Sequence, residues 1–163
     1  MVPIVVVRSA PSSGSRDTAG VRLELSRQGD YAVRAMLALA ADGDGRWRSV
    51  SAISAEMAIP ERFLPRIMRV LGEAGLVKAR TGRTGGYRLT RPPQEITILD
   101  VLMAAEPADE IPRCILRGIP CGTDGRCAVH DTFDEARVAF RDRLARTSLA
   151  DVATPVAQTP RRR

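Results

Sequence analysis

Three cysteines and the single histidine of this chain fall close together, at Cys114, Cys121, Cys127 and His130. Six residues separate the first two cysteines, five the next pair, and two separate Cys127 from His130. Thiolates are soft ligands and imidazole is an intermediate one, a set that suits zinc or an iron–sulfur cluster better than a hard, oxygen-seeking cation. An odd number of cysteines confined to 14 residues does not read as a disulfide framework. A reducing compartment would keep such thiols available for metal, which places the protein in the cytoplasm. Gly118, Gly122 and Gly125, with Pro112 and Pro120, let the intervening chain fold back around an ion. Spacing alone leaves open whether that ion is a structural zinc in a Cys3His site or part of a cluster.

A second concentration of chemistry lies upstream. From Pro60 to Arg91 there are eight basic residues (Arg62, Arg66, Arg69, Lys78, Arg80, Arg83, Arg88 and Arg91) against Glu61 and Glu73. That excess matches the formal net charge of +6 carried by the whole chain. Gln94 to Glu135 carries nine acidic residues against three arginines, so the cysteine segment is net acidic. One end of the molecule is built to attract polyanions and the other is not. Enzymatic chemistry has little to work with: there is one histidine, no nucleophile elbow and no paired carboxylates in an evident cleft. Gly82 to Gly86 is not a phosphate-binding P-loop, because no Lys-Ser or Lys-Thr pair follows it. No small-molecule substrate is expected. No apolar run approaches the ~18 residues of a membrane span, and Ile4 to Val7 is too brief for a signal-peptide core.

The elements that must position these residues are mainly helical. Ser26 can cap a helix to about Ala41, with Val33, Met36, Leu37 and Ala40 on one face. Trp47 to Val50 reads as a short strand. Ser51 is placed to cap a brief helix through Met57. A turn at Ala58 to Pro60 leads to a longer helix that starts at Pro60 or Glu61, carries Phe63, Leu64, Ile67, Val70 and Leu71, and ends at Gly75. Pro65 falls four or five residues into it and removes an amide donor, so the helix is kinked or irregular in its first turn unless it starts about there. This is helix-turn-helix spacing. Two candidate strands, Leu76 to Arg80 and Tyr87 to Thr90, joined by a Gly-rich hairpin, add a wing. Thr97 and Asp100 form a capping-box start for a helix ending near Ala105. Phe133, Ala136, Phe140 and Leu144 recur at helical spacing from about Asp131 to Arg146, a stripe that either returns to the core or, as favoured here, pairs with a second copy.

The fold class read from these patterns is mainly α with a small β wing. Residues 22–105 form the winged helix-turn-helix domain, 106–130 the cluster-binding loop, and 131–153 a dimerisation helix with a short C-terminal segment. Residues 1–21 and 154–163 are expected to be disordered, the terminal arginines adding nonspecific phosphate affinity. In the second helix of the pair, Arg62, Phe63 and Arg66 are placed to reach base edges in the major groove, and Arg80, Arg83 and Arg88 of the wing suit phosphate or minor-groove contact. Ser51 and Arg69 complete the candidate DNA-contacting set.

Four motifs in order resemble the IscR and NsrR group of winged-helix regulators, across about Leu23 to Ala153. They are Leu25-Ser26-Arg27-Gln28-Gly29-Asp30-Tyr31-Ala32-Val33, Phe63-Leu64-Pro65-Arg66-Ile67 to Gly75-Leu76-Val77, Gly85-Gly86-Tyr87-Arg88-Leu89, and the spaced cysteines. The resemblance implies a homodimer joined through the long C-terminal helix, bound to a palindromic double-stranded DNA operator as a transcriptional regulator, here read as a repressor. It also implies that Cys114, Cys121 and Cys127 hold an iron–sulfur cluster, with His130 as fourth ligand to a 2Fe-2S centre of the IscR kind, sensing iron, redox or cluster status. Asp30 matches the acidic residue that, in the NsrR-like branch, reaches from the partner subunit to a 4Fe-4S cluster that senses nitric oxide. Both fourth ligands stay open, and a constitutive DNA-binding module with a structural zinc is the reading of another class.

Overall fold

The computed structural model describes residues 25–41, 45–82, 84–106 and 126–153. Cys114, Cys121, Arg83, most of the expected cluster loop and both expected disordered ends lie outside them.

Helix α1 (Arg27–Ala41) is the organising element. Its start is set as the sequence indicates: the Ser26 hydroxyl accepts the Gly29 N–H at 3.1 Å, satisfying a donor with no intrahelical partner. Ala32, Ala35, Met36, Ala38 and Leu39 are buried along its length, and the small alanines let neighbouring helices come close. Against α1 pack α2 (Val50–Met57), α3 (Leu64–Glu73), α4 (Ile98–Ala105) and the short α6 (Leu149–Val152). Ile53, Ile59, Leu64, Met68, Leu71, Ile96, Val101 and Leu149 complete one core.

Two helix starts differ from the sequence reading. Helix α2 is capped by Ser49, whose hydroxyl accepts the Ala52 N–H at 3.2 Å, and not by Ser51, which lies exposed in the first turn. Helix α3 begins at Leu64 rather than at Pro60 or Glu61, so Arg62 and Phe63 belong to the turn before it. Pro65 explains the later start. In the first helical turn its missing N–H costs no hydrogen bond, whereas a helix begun at Pro60 would have placed it in the interior. The turn between α2 and α3 is held by Ala58, in the left-handed region at φ 52°, and by the buried Ile59.

Leaving α3, Gly75 adopts φ 73°, and the Leu76 N–H returns to the Leu71 carbonyl at 2.9 Å, closing the helix end. Strands β1 (Val77–Arg80) and β2 (Gly86–Leu89) form an antiparallel hairpin, with Val77 opposite Leu89 and Arg80 opposite Gly86. The expected strand at Trp47 to Val50 is reduced to one bridge: Arg48 and Tyr87 exchange backbone hydrogen bonds of 2.9 and 2.8 Å. Gly86 makes this approach possible, since a Cβ there would lie 2.3 Å from the Arg48 carbonyl oxygen.

Thr97 and Asp100 form the expected capping box at α4. Helix α5 (His130–Ala145) has no buried residue, and α4 is its packing neighbour. The chain then turns back. The Leu149 N–H donates to the Ile96 carbonyl at 2.8 Å and the Ile98 N–H to the Thr147 carbonyl at 2.9 Å, which seats Leu149 in the core. The short segment after the long helix is thus part of the core domain's packing.

Candidate functional site

The amphipathic pattern of α3 decides which side chains it can offer. Leu64, Ile67, Met68 and Leu71 are buried, which turns Arg66 and Arg69 outward, one turn apart. Arg69 pairs with Glu73 at 3.0 Å, but both side chains are well exposed, and such a pair gives way easily to a stronger anion. Phe63 is half-buried and its ring lies 5.9 Å from that of Tyr31, so it fastens the turn to α1. The Arg62 guanidinium stacks 4.9 Å from the Phe63 ring centroid. Of the sequence-derived set on this turn and helix, Arg62, Arg66 and Arg69 stand outside the packing, and Phe63 supports them.

In the hairpin, the period-two alternation of strands sorts residues to two faces. Val77, Tyr87 and Leu89 pack on the core. The register places Lys78 opposite Arg88 and Arg80 opposite Gly86, so Lys78, Arg80 and Arg88 share the other face. Two of these cations converge on one aromatic ring: the guanidinium carbons of Arg80 and Arg88 each lie 4.7 Å from the Trp47 ring centroid. Trp47 was not among the residues singled out from the sequence. The only signal for it was a lone tryptophan in a short strand-like stretch between two arginines. Arg80 also donates to the Thr84 carbonyl, which closes the hairpin over on itself. Ser51 reaches the Ser49 hydroxyl at 3.1 Å at the start of α2, and it is Ser49 that lines an open cleft with Arg80 and Gly85.

The second site is described in part. Cys127 is a half-buried free thiol, and its carbonyl accepts the His130 N–H at 3.0 Å, so the thiol and the imidazole residue sit one turn apart where α5 begins. Arg126 and Asp131 pair at 3.0 Å across the same turn, both exposed. Among the described residues no group of three or more cysteine, histidine or acidic side chains is gathered as a metal site. Cys127 and His130 fit a soft metal by donor type, and the other two thiols lie outside the described residues. Asp30 stands in the first turn of α1, paired with Arg34 at 2.9 Å, and Arg34 also contacts the Met57 carbonyl at 3.5 Å. Close by, Glu106 at the end of α4 accepts the Ser26 N–H at 3.0 Å, and Gln28 donates to the Ala105 carbonyl at 2.7 Å. A Cβ at Gly29 would meet the Glu106 carboxylate, so glycine lets that carboxylate lie over the start of α1.

Residues 25–155 match the family model Rrf2, described as an iron-dependent transcriptional regulator. The chain belongs to the Rrf2 family. A Mycobacterium tuberculosis protein described as an HTH-type transcriptional regulator is 36% identical over 135 residues, spanning 80% of this chain and 81% of that protein. Among solved structures, CymR, the global cysteine regulator of B. subtilis, superposes with a TM-score of 0.68 at 28% identity, covering 81% of this chain and 97% of CymR. IscR of T. potens superposes with a TM-score of 0.61 at 27% identity, covering 80% of this chain and 85% of that one. This Rrf2 chain is therefore a winged-helix transcriptional regulator, and the helix-turn-helix and wing read from its sequence are those of its family. Among the described residues no helix is long and apolar enough to cross a membrane.

Proposed function

We propose that this Rrf2 protein is a homodimeric repressor of double-stranded DNA operators in the cytoplasm, whose affinity is set by an iron–sulfur cluster at Cys114, Cys121, Cys127 and His130. The observation that carries the DNA-binding half is the sorting of charge by the fold. Burial of Leu64, Ile67, Met68 and Leu71 leaves Arg66 and Arg69 facing out of α3, and hairpin register gathers Lys78, Arg80 and Arg88 on one face. Helix cations suit base edges, where arginine can grip guanine with two hydrogen bonds, and wing cations, Arg83 included, suit phosphate. Ser51, Arg62 and Phe63 contribute at the flank, Phe63 by holding Arg62.

The sensing half rests on where the donors sit. Cys127 lies in the turn that leads into α5 and His130 is its first residue, and α5 carries Phe133 and Phe140 on one face, exposed at 37 and 40% in the single chain. An apolar face of this kind is covered in a second copy. Ligation that draws the Cys127 and His130 side chains toward a metal must move the root of the same helix that joins the subunits. A preference of about 1.4 kcal/mol for one dimer geometry is enough for a tenfold change in DNA affinity. The cluster itself supplies exchangeable iron and reactivity toward oxidants or nitric oxide. The family's description as iron-dependent and the likeness to IscR support this reading. His130 is favoured over Asp30 because it shares a turn with Cys127, while Asp30 is engaged by Arg34. Asp30 from a partner subunit and a 4Fe-4S centre is the alternative.

A second reading comes from CymR, whose stated role is cysteine regulation: the chain would follow sulfur supply with no cluster of its own. Visible absorption of anaerobically purified protein, with iron, sulfide and zinc analysis, separates these. Brown wild type whose spectrum changes in His130→Ala supports the 2Fe-2S centre, and a change in Asp30→Ala instead supports the other ligand. Colourless protein free of iron overturns cluster sensing, and zinc in it marks a structural site.

A further inference from the structure

Trp47 is the only tryptophan in the chain, and the fold brings it to the wing by a specific route. Gly86, at φ 150° and without a side chain, admits the Arg48 carbonyl to the edge of β2. Arg48 and Tyr87 then exchange two backbone hydrogen bonds, which fixes the neighbouring Trp47 beside the hairpin. Arg80 and Arg88 lie on the same face of that hairpin, on different strands, and each guanidinium stands 4.7 Å from the indole centroid. One indole that attracts both guanidinium groups limits the rotamers each long side chain samples.

We propose that Trp47 is a positioning residue for DNA binding, an aromatic platform that holds Arg80 and Arg88 together, ready for consecutive phosphates of the DNA backbone. Trp47 stands between the wing and the start of α2, beside an open cleft that Arg80, Gly85, Ser49 and Ala52 also line. A guanidinium stacked by its face keeps its N–H edge available to phosphate oxygens, and Arg80, which gives one donor to the Thr84 carbonyl, retains others, so stacking and phosphate contact are compatible. Without the platform the same charges remain, but ordering them falls on the binding step and weakens it.

The inference rests on the DNA-binding reading, and the test separates the two. Affinity for a random-sequence duplex is measured over a salt series for wild type, Trp47→Ala, Trp47→Phe, Arg80→Ala/Arg88→Ala and the triple variant, with thermal melting of each. Trp47→Ala is expected to bind about tenfold more weakly with the salt slope nearly unchanged, since the same cations meet the same phosphates, Arg80→Ala/Arg88→Ala to bind with a shallower slope, Trp47→Phe to recover most of the loss, and Trp47→Ala to cost almost nothing further once both arginines are absent. Equal losses from Trp47→Ala with and without the arginines, or none in either, overturn the platform while leaving DNA binding in place. Where Trp47→Ala fails to fold, Trp47→Phe and Trp47→Leu carry the test: equal affinity of the two overturns the inference. Wild type that does not bind the duplex overturns both.

Discussion

Helices α1 and α5 are nearly the same length, 15 and 16 residues, yet eight residues of α1 are buried and none of α5 is. Helix α1 is ringed by α2, α3, α4 and α6, whereas α5 has α4 beside it and leaves Phe133 and Phe140 exposed on one face. Both helices carry an apolar stripe, so the contrast lies in what is available to cover it. A core helix is stabilised by its own chain. Isolated helices of this length are marginal in water, so in the proposed homodimer α5 would draw its stability from the second copy.

That contrast can be broken at either end, and the core end carries the larger effect. Leu71 is fully buried on α3, in the core that α3 shares with α1. Leu71→Ala is expected to cost about 3 kcal/mol of folding stability, from lost burial plus the cavity left behind. Denaturant unfolding followed by far-UV circular dichroism checks this; a loss below about 1 kcal/mol would mean that α3 is not locked to the core as described.

On α5, Phe140→Asp is expected to leave the winged-helix core intact and to act on association. Removing an aromatic from a face that closes on a partner, and placing a charge there, amounts to about 2 kcal/mol or more, a dissociation constant raised at least ~30-fold. Sedimentation velocity across a dilution series would show wild type as a dimer where the variant is monomeric. A variant that sediments like wild type would remove α5 from the interface and leave its apolar stripe without a role.

Local rules carried much of this architecture into the sequence. The Ser26 cap, the Thr97–Asp100 box, Gly75 after α3 and the outward Arg66 and Arg69 each depend on residues within one helical turn, and each was readable. Departures arise where a distant partner decides. Ser49 and Ser51 are equally good caps on paper; pairing of Arg48 with Tyr87 sets the chain so that Ser49 takes the role. Nothing near Leu149 announces that it fills the core, because pairing of Thr97 with Ser148 brings it there. Trp47 escaped notice for the same reason: its meaning comes from arginines on a hairpin more than 30 residues away. Pro65 already argues in the sequence against a helix running through it from Pro60 or Glu61, and the start of α3 at Leu64 resolves that conflict. Of the proposed metal ligands, Cys127 and His130 were legible in sequence and lie one turn apart in space.

The smallest of these effects concerns the joint between the two regions, where α5 ends and α6 docks. Asp151 accepts the Ser148 N–H at 2.8 Å and its hydroxyl at 2.8 Å, while the Asp151 N–H donates to the Ser148 oxygen at 3.2 Å. The backbone donor first, the hydroxyl next and nearby Arg143 last hold its carboxyl below the ordinary value of 3.8, against slight desolvation. A carboxyl depressed in the folded state stabilises that state above the unfolded-state value, and the stabilisation is lost as pH falls through the folded-state value. Asp151→Asn should therefore melt slightly below wild type at neutral pH, with faster amide exchange at residues 149–152, and the two proteins should converge in acid below the ordinary carboxylate range. A deficit that persists undiminished in acid would assign the joint to the packing of Leu149 rather than to the charged cap, and the fastening of α5 to the core would then be apolar.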